Sequence, residues 1–177
     1  QAVFEGIPIR DVVAWNAVIA GYGQFGQAYM VLDLYNRMKT EDVMPDIVTF
    51  IVLLNACSHA GKFNEAQLYY EKMSTEYGIA AMLEHHTCMA VSLGCIGHFD
   101  KVISMIKTMP SSSYLPVWRA LLSACQRWGN AELGQHAFNN AMGMDEKHSS
   151  AFVLMSNMFI DFPSEAEEGK DYLYSIP

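Results

Sequence analysis

Only 11 of the 177 residues are lysine or arginine, against 19 aspartates and glutamates. The resulting net charge of −8 argues against a surface that holds phosphates by bulk positive charge. Long apolar runs are missing as well: no stretch of 18 or more uncharged apolar residues occurs, so no membrane-spanning helix is expected. The first residues lack the basic-then-apolar order of a secretory signal, and the opening QAVFEG has no methionine, which suggests a fragment. Cys57, Cys88, Cys95 and Cys125 form no CxxC pair and show no zinc-site spacing with histidine, so reduced, buried thiols are expected, with no metal and no cofactor. Also absent are the H-x-E and P-C-x-x-C elements of a zinc-dependent cytidine deaminase. The chain is therefore not expected to be an enzyme.

What is present is apolar surface and its repetition. The chain is 51% hydrophobic and 17% charged, enough to bury a sizeable core. Its acidity is uneven: residues 131–177 carry two basic and eight acidic side chains, residues 1–130 nine and eleven. Aligning Trp15 with Phe50, His86, Trp118 and Phe152 gives steps of 35, 36, 32 and 34 residues. Eleven residues after the first four stand Gly26, Gly61, Gly97 and Gly129, and five further on Val31, Ala66, Val102 and Gly134. Met38, Met73 and Met109 follow the first three glycines by twelve.

Each unit opens with an amphipathic helix. Trp15, Val18, Ile19 and Tyr22 lie at i, i+3, i+4 and i+7, as do Phe50, Leu53, Leu54 and Cys57, and Trp118, Leu121, Leu122 and Cys125. The glycine offers a left-handed residue at which the chain can reverse. A second helix follows, such as Asn64–Ser74, with Ala66, Tyr69, Tyr70 and Met73 on one side. Pro45, and later Pro110 with the serines at 111–113, are expected to stop second helices. A lone hairpin cannot bury both faces, so the expected fold is all-α: an α-solenoid of about four complete hairpins with partial units flanking them.

A period of 34 to 36 with two helices suits both tetratricopeptide and pentatricopeptide repeats. The openings WNAVIAGYG, FIVLLNACS and WRALLSACQ lack the Trp-x-x-Leu-Gly-x-x-Tyr of the former. The stretches DVVAWNAVIAGYGQFG, MPDIVTF, LLNACSHAGKFNEA, YEKMSTEYGI, LEHHTCM, IKTMP and VWRALLSACQRWGNAELG resemble a plant organellar pentatricopeptide-repeat protein with alternating long and short repeats. The resemblance covers roughly residues 3–160, and its unit lengths match the last repeats and the E-type extension that follows them. It divides the chain into the end of a preceding repeat (1–11), a repeat (12–46), a long repeat (47–82), a short repeat (83–114), an E-type hairpin (115–148), a partial unit (149–160) and a divergent acidic tail (161–177).

What the resemblance implies is binding of single-stranded organellar RNA, one base per repeat. Its base-reading positions fall on Asn16 and Asp46, a pair that by family analogy prefers uracil, with Val13 and Val48 flanking the flat faces of the base. The residues alone favour a plainer reading, with Asn16 an exposed helix residue and Asp46 a helix cap. Later units are weaker readers. Ile51 and Met82 cannot hydrogen-bond a base through their side chains, Thr87 is a reader paired with Tyr114 where aspartate is usual, and Arg119 suits a phosphate as well as a base. His85 and His86 point about 100° apart, have no third ligand nearby, and read as packing residues; His59 reads as lying near a hairpin turn.

The resemblance further implies a mitochondrial or chloroplast location and a part in transcript processing, most often C-to-U editing. Editing accessory proteins or a separate deaminase would then be partners, and no membrane is involved. The competing expectation is a protein-interaction scaffold with little RNA affinity. Beyond Asn157 the pattern departs: Pro163 stands where glycine is expected, and DFPSEAEEGKDYLYSIP replaces a second helix, so residues 161–177 are expected to be poorly ordered.

Overall fold

The computed structural model describes Phe4, Gly6 and residues 10–109, 115–144 and 149–161. Among these residues the secondary structure is entirely helical. The elements are α1 (Val12–Gln24), α2 (Ala28–Thr40), α3 (Ile47–His59), α4 (Phe63–Thr75), α5 (Leu83–Cys95), α6 (Phe99–Thr108), α7 (Leu115–Trp128), α8 (Ala131–Met144) and α9 (Ser149–Asp161). The chain divides into two compact units, residues 1–92 and 93–177.

In the first unit α1 packs on α2, α3 on α4, and α1 on α3, so successive hairpins stack through their first helices. The core joins Trp15, Ile19, Val31, Leu34, Met38, Phe50, Leu53 and Met73, all buried. Of the apolar positions expected from the repeat, Leu54, Cys57 and the small residue Ala66 are likewise fully enclosed, whereas Val18, Tyr22, Tyr69 and Tyr70 are half-buried. Edge-to-face contacts of Phe4 with Trp15 (ring centroids 4.8 Å) and Phe50 with Tyr77 (5.2 Å) lock aromatic rings between layers. In the second unit α7 packs on α8 and both pack on α9, around Trp118, Leu121, Leu122, Cys125, Phe138, Met155 and Met158. There Gly134 lets α9 approach closely: a Cβ would meet Met158 Cε at 2.6 Å, and the end of that side chain would have to shift.

The hairpin turns share one construction. Gly26, Gly61, Gly97 and Gly129 have φ of 68°, 68°, 73° and 67°. In each case the following N–H donates five residues back, as Gln27 does to Tyr22 O (3.1 Å) and Lys62 to Cys57 O (2.8 Å), while the glycine N–H donates to the carbonyl three before it. This is the Schellman closure, and it ties off the last carbonyls of the first helix. The expectation for Pro45 needs correction. Helix α2 ends at Thr40, where Asp42, with φ 56°, takes the left-handed position and Val43 N–H reaches Met38 O (3.1 Å). Pro45 only precedes the cap of α3. Pro110, the serines at 111–113, Tyr114 and the tail 162–177 lie outside the described residues.

One aligned aromatic differs from its counterparts. Trp15 and Phe50 are fully enclosed, yet Phe152 is 36% exposed and meets Phe138 edge to face, because Ala151, Met155 and Met158 form the buried side of α9.

Candidate functional site

Helix α3 begins at a capping box. Asp46 Oδ1 accepts the Thr49 backbone N–H (2.9 Å), and Thr49 Oγ1 accepts the Asp46 N–H (3.1 Å), each satisfying a donor that the first helical turn leaves open. The packing of α1 on α3 brings Asn16 to this cap. Its Nδ2 donates to Asp46 Oδ1 (2.9 Å), and its Oδ1 accepts from the Thr49 hydroxyl (2.7 Å). Asn16 is therefore not an exposed helix residue: it is 8% exposed, held between two residues of the next hairpin. Asp46 is indeed a helix cap, and that cap is also where Asn16 binds.

Burial pushes the Asp46 carboxyl up, but the hydrogen bonds from the Thr49 N–H, the Asn16 amide and the Thr49 hydroxyl outweigh it, and the pKa lies below the ordinary carboxylate value. After these bonds the cluster keeps one Nδ2–H and one Oδ1 lone pair on Asn16. It can thus donate and accept side by side. Val13 (69% exposed) and Val48 (45%), at corresponding positions near the starts of α1 and α3, are left uncovered as apolar surface suited to the face of a planar ring.

The next unit builds nothing similar. Ile51 and Met82 stand at the positions of Asn16 and Asp46, and His85 at that of Thr49. Met82 N–H donates to His85 Nδ1 (3.1 Å), which fixes the proton on Nε2, facing Ile47 O (3.2 Å). Burial holds the His85 pKa below its ordinary value, although the Ile47 carbonyl and Glu84 act the other way. His86 is also buried, bonded through Nδ1 to the Tyr70 hydroxyl (3.0 Å), and its pKa is lowered by burial and by His85. His59 is the exposed last residue of α3, at the turn. The Thr87 hydroxyl donates within its own helix to Leu83 O (2.9 Å), which occupies its one proton. Arg119 is half-buried, and its Nε has no partner among the described residues.

All four cysteines are free thiols, but only Cys57 and Cys125 are buried; Cys88 and Cys95 are half-buried. Desolvation pushes Cys57 and Cys88 up to about 11 and Cys125 to about 12, which keeps these thiols protonated. Among the described residues no three His, Cys, Asp or Glu side chains gather as a metal site would need, and no helix is long and apolar enough to cross a membrane.

Known proteins place the hairpins in a family. Residues 10–59 match the model of the PPR repeat family, and residues 48–76 that of the single PPR repeat. Three pentatricopeptide repeat-containing proteins of Arabidopsis thaliana are similar along most of the chain. One is 38% identical over 157 residues (89% of this chain, 22% of its own), and another is 32% identical over 167 residues (94% and 39%). The third, whose name adds "mitochondrial", is 35% identical over 161 residues (91% and 29%). The chain thus spans less than two fifths of the length of these relatives. The crystal structure of the pentatricopeptide repeat protein PPR10 from maize superposes with a TM-score of 0.67 at 17% identity, covering 92% of this chain and 25% of that one. A PPR10 structure in complex with an 18-nt psaJ RNA element gives 0.64 at 15% identity, covering 78% and 21%. The fold is thus an all-α helical-repeat solenoid, and residues 10–76 of the chain are repeats of the pentatricopeptide-repeat family.

Proposed function

We propose that the chain is a single-stranded RNA-binding module that reads a base at the Asn16, Asp46 and Thr49 cluster. The observation that carries this reading is the free donor and acceptor of a buried, oriented amide beside uncovered valines. A base inserted there would hydrogen-bond through its polar edge to Asn16 and rest its flat faces on Val13 and Val48. Uracil, with an N–H beside a carbonyl, fits the amide. PPR10, a structural neighbour, was solved with RNA bound, which supports the reading.

The wider assignment rests on the same proposal: an alternating long-and-short repeat array ending in an E-type extension, with the unit boundaries given by the sequence. In it the chain addresses an organellar transcript for C-to-U editing, and a separate deaminase performs the chemistry. Thr87 serves as a secondary reader in the third unit. One relative named mitochondrial supports that organelle, with the chloroplast as the alternative.

Fluorescence anisotropy with short oligouridylate tests the proposal. Affinity should fall with added salt, and Asn16→Ala and Asp46→Ala should each weaken it. A protein-interaction scaffold is the competing reading, favoured by the net charge of −8. It predicts no saturable RNA binding by the wild type and no effect of either substitution.

A further inference from the structure

An asparagine amide has two orientations that fill nearly the same space and differ only in which end donates. At Asn16 the choice is made by its neighbours. The Thr49 hydroxyl is itself oriented: its oxygen accepts the Asp46 N–H at 3.1 Å, and its single proton faces Asn16 Oδ1 at 2.7 Å, closer than Asp46 Oδ1 at 3.0 Å. With Asp46 Oδ1 at 2.9 Å from Nδ2, a flipped amide would set oxygen against carboxylate. Thr49 is fully buried, so water cannot take over its role.

The order of donor and acceptor is also what separates the two pyrimidines. Uracil presents a carbonyl beside an N–H, whereas cytosine presents an amino group beside a bare ring nitrogen. A fixed amide matches one order, and a flipped amide matches the other. We infer that Thr49 is a positioning and specificity-determining residue: its hydroxyl holds the Asn16 amide in the single orientation that selects between uracil and cytosine. The inference rests on the base-reading proposal for Asn16. It makes the selectivity of one repeat depend on the first turn of the next. The position equivalent to Thr49 carries no hydroxyl elsewhere: His85 follows the unit with Ile51, and Val117 follows the unit with Thr87.

The test compares wild type, Thr49→Val and Thr49→Ser for binding of oligouridylate and oligocytidylate. Thr49→Val should reduce the ratio of the two affinities by roughly three- to tenfold, the worth of one hydrogen bond, while Thr49→Ser retains it. An unchanged ratio in Thr49→Val overturns the inference. Asn16→Ala separates this from the underlying proposal. If that variant binds both RNAs as the wild type does, base reading itself falls. If it loses binding while Thr49→Val keeps the ratio, only the role of Thr49 falls. Should Thr49→Val fail to fold, the free wild-type protein still decides. Its Thr49 hydroxyl proton should be visible by NMR and protected from solvent exchange, as a donor held on Asn16 Oδ1 must be, and a hydroxyl exchanging freely overturns the inference.

Discussion

Asn16 and Asp46 stand thirty residues apart in the chain and are joined by a 2.9 Å hydrogen bond, amide to carboxylate. The bond makes a helix cap and the proposed base-reading position the same object. Damage to one is therefore damage to the other, and the two effects can be separated by measuring stability and binding together.

Removing the Asn16 side chain leaves the Thr49 hydroxyl and Asp46 Oδ1 each short of a partner. Asn16→Ala should cost about 1–3 kcal/mol in urea unfolding while leaving the helical circular dichroism intact. Asp46→Ala removes the cap as well and should cost a further ~1 kcal/mol.

Asp46 gives the fold an acid limit. Its folded pKa lies below the ordinary carboxylate value. Its contribution to stability is then complete above the unfolded pKa of about 3.9 and is lost as pH falls through the lower folded value. Thermal melts of wild type and Asp46→Asn should differ at neutral pH and converge as pH falls below about 4.

His85 acts at a milder pH. The folded state disfavours its proton, so the unfolded chain protonates first. Stability should be full above about pH 6.5 and decline as pH falls from there through the folded pKa. His85→Gln, which cannot titrate, should flatten this part of the stability profile, and the remaining slope belongs to His86, shifted in the same direction.

The two kinds of turn offer a paired test. Nothing lies within 4 Å of a Cβ built at Gly26, so Gly26→Ala should cost only the left-handed conformation, about 1–2 kcal/mol. Asp42 adopts the same conformation with a side chain, and Asp42→Gly should be neutral or raise stability by up to about 1 kcal/mol in the same melts.

Much of this was legible in the sequence. Trp15, Phe50, Leu53, Leu121 and Met73 repeat because packing demands them, and spacing alone locates them. The four turn glycines were equally plain, since few residues besides glycine take φ near 70° without strain. Asp42 escaped notice because aspartate tolerates that conformation without announcing it, and Pro45 drew attention to the wrong end of the connection. Phe152 keeps the period without the burial, because an aromatic at the right spacing need not face inward when alanine and methionine beside it do. At the candidate site, Asn16, Asp46, Val13 and Val48 were singled out through resemblance, not spacing. Thr49 was missed, although Asp-x-x-Thr ahead of an apolar run is a capping-box signal. The cap could be read locally; the bond that carries it to Asn16 crosses between hairpins and needed the packing.

The central claim is that a base sits between Val13 and Val48 against Asn16. Photo-crosslinking of an oligonucleotide carrying 4-thiouridine to the 177-residue chain, followed by peptide mapping, tests it most directly. The account predicts crosslinks concentrated in residues 13–16 and 46–49 and lost in competition with excess oligouridylate. Crosslinks confined to other segments, or none at concentrations where RNA is bound, would contradict it.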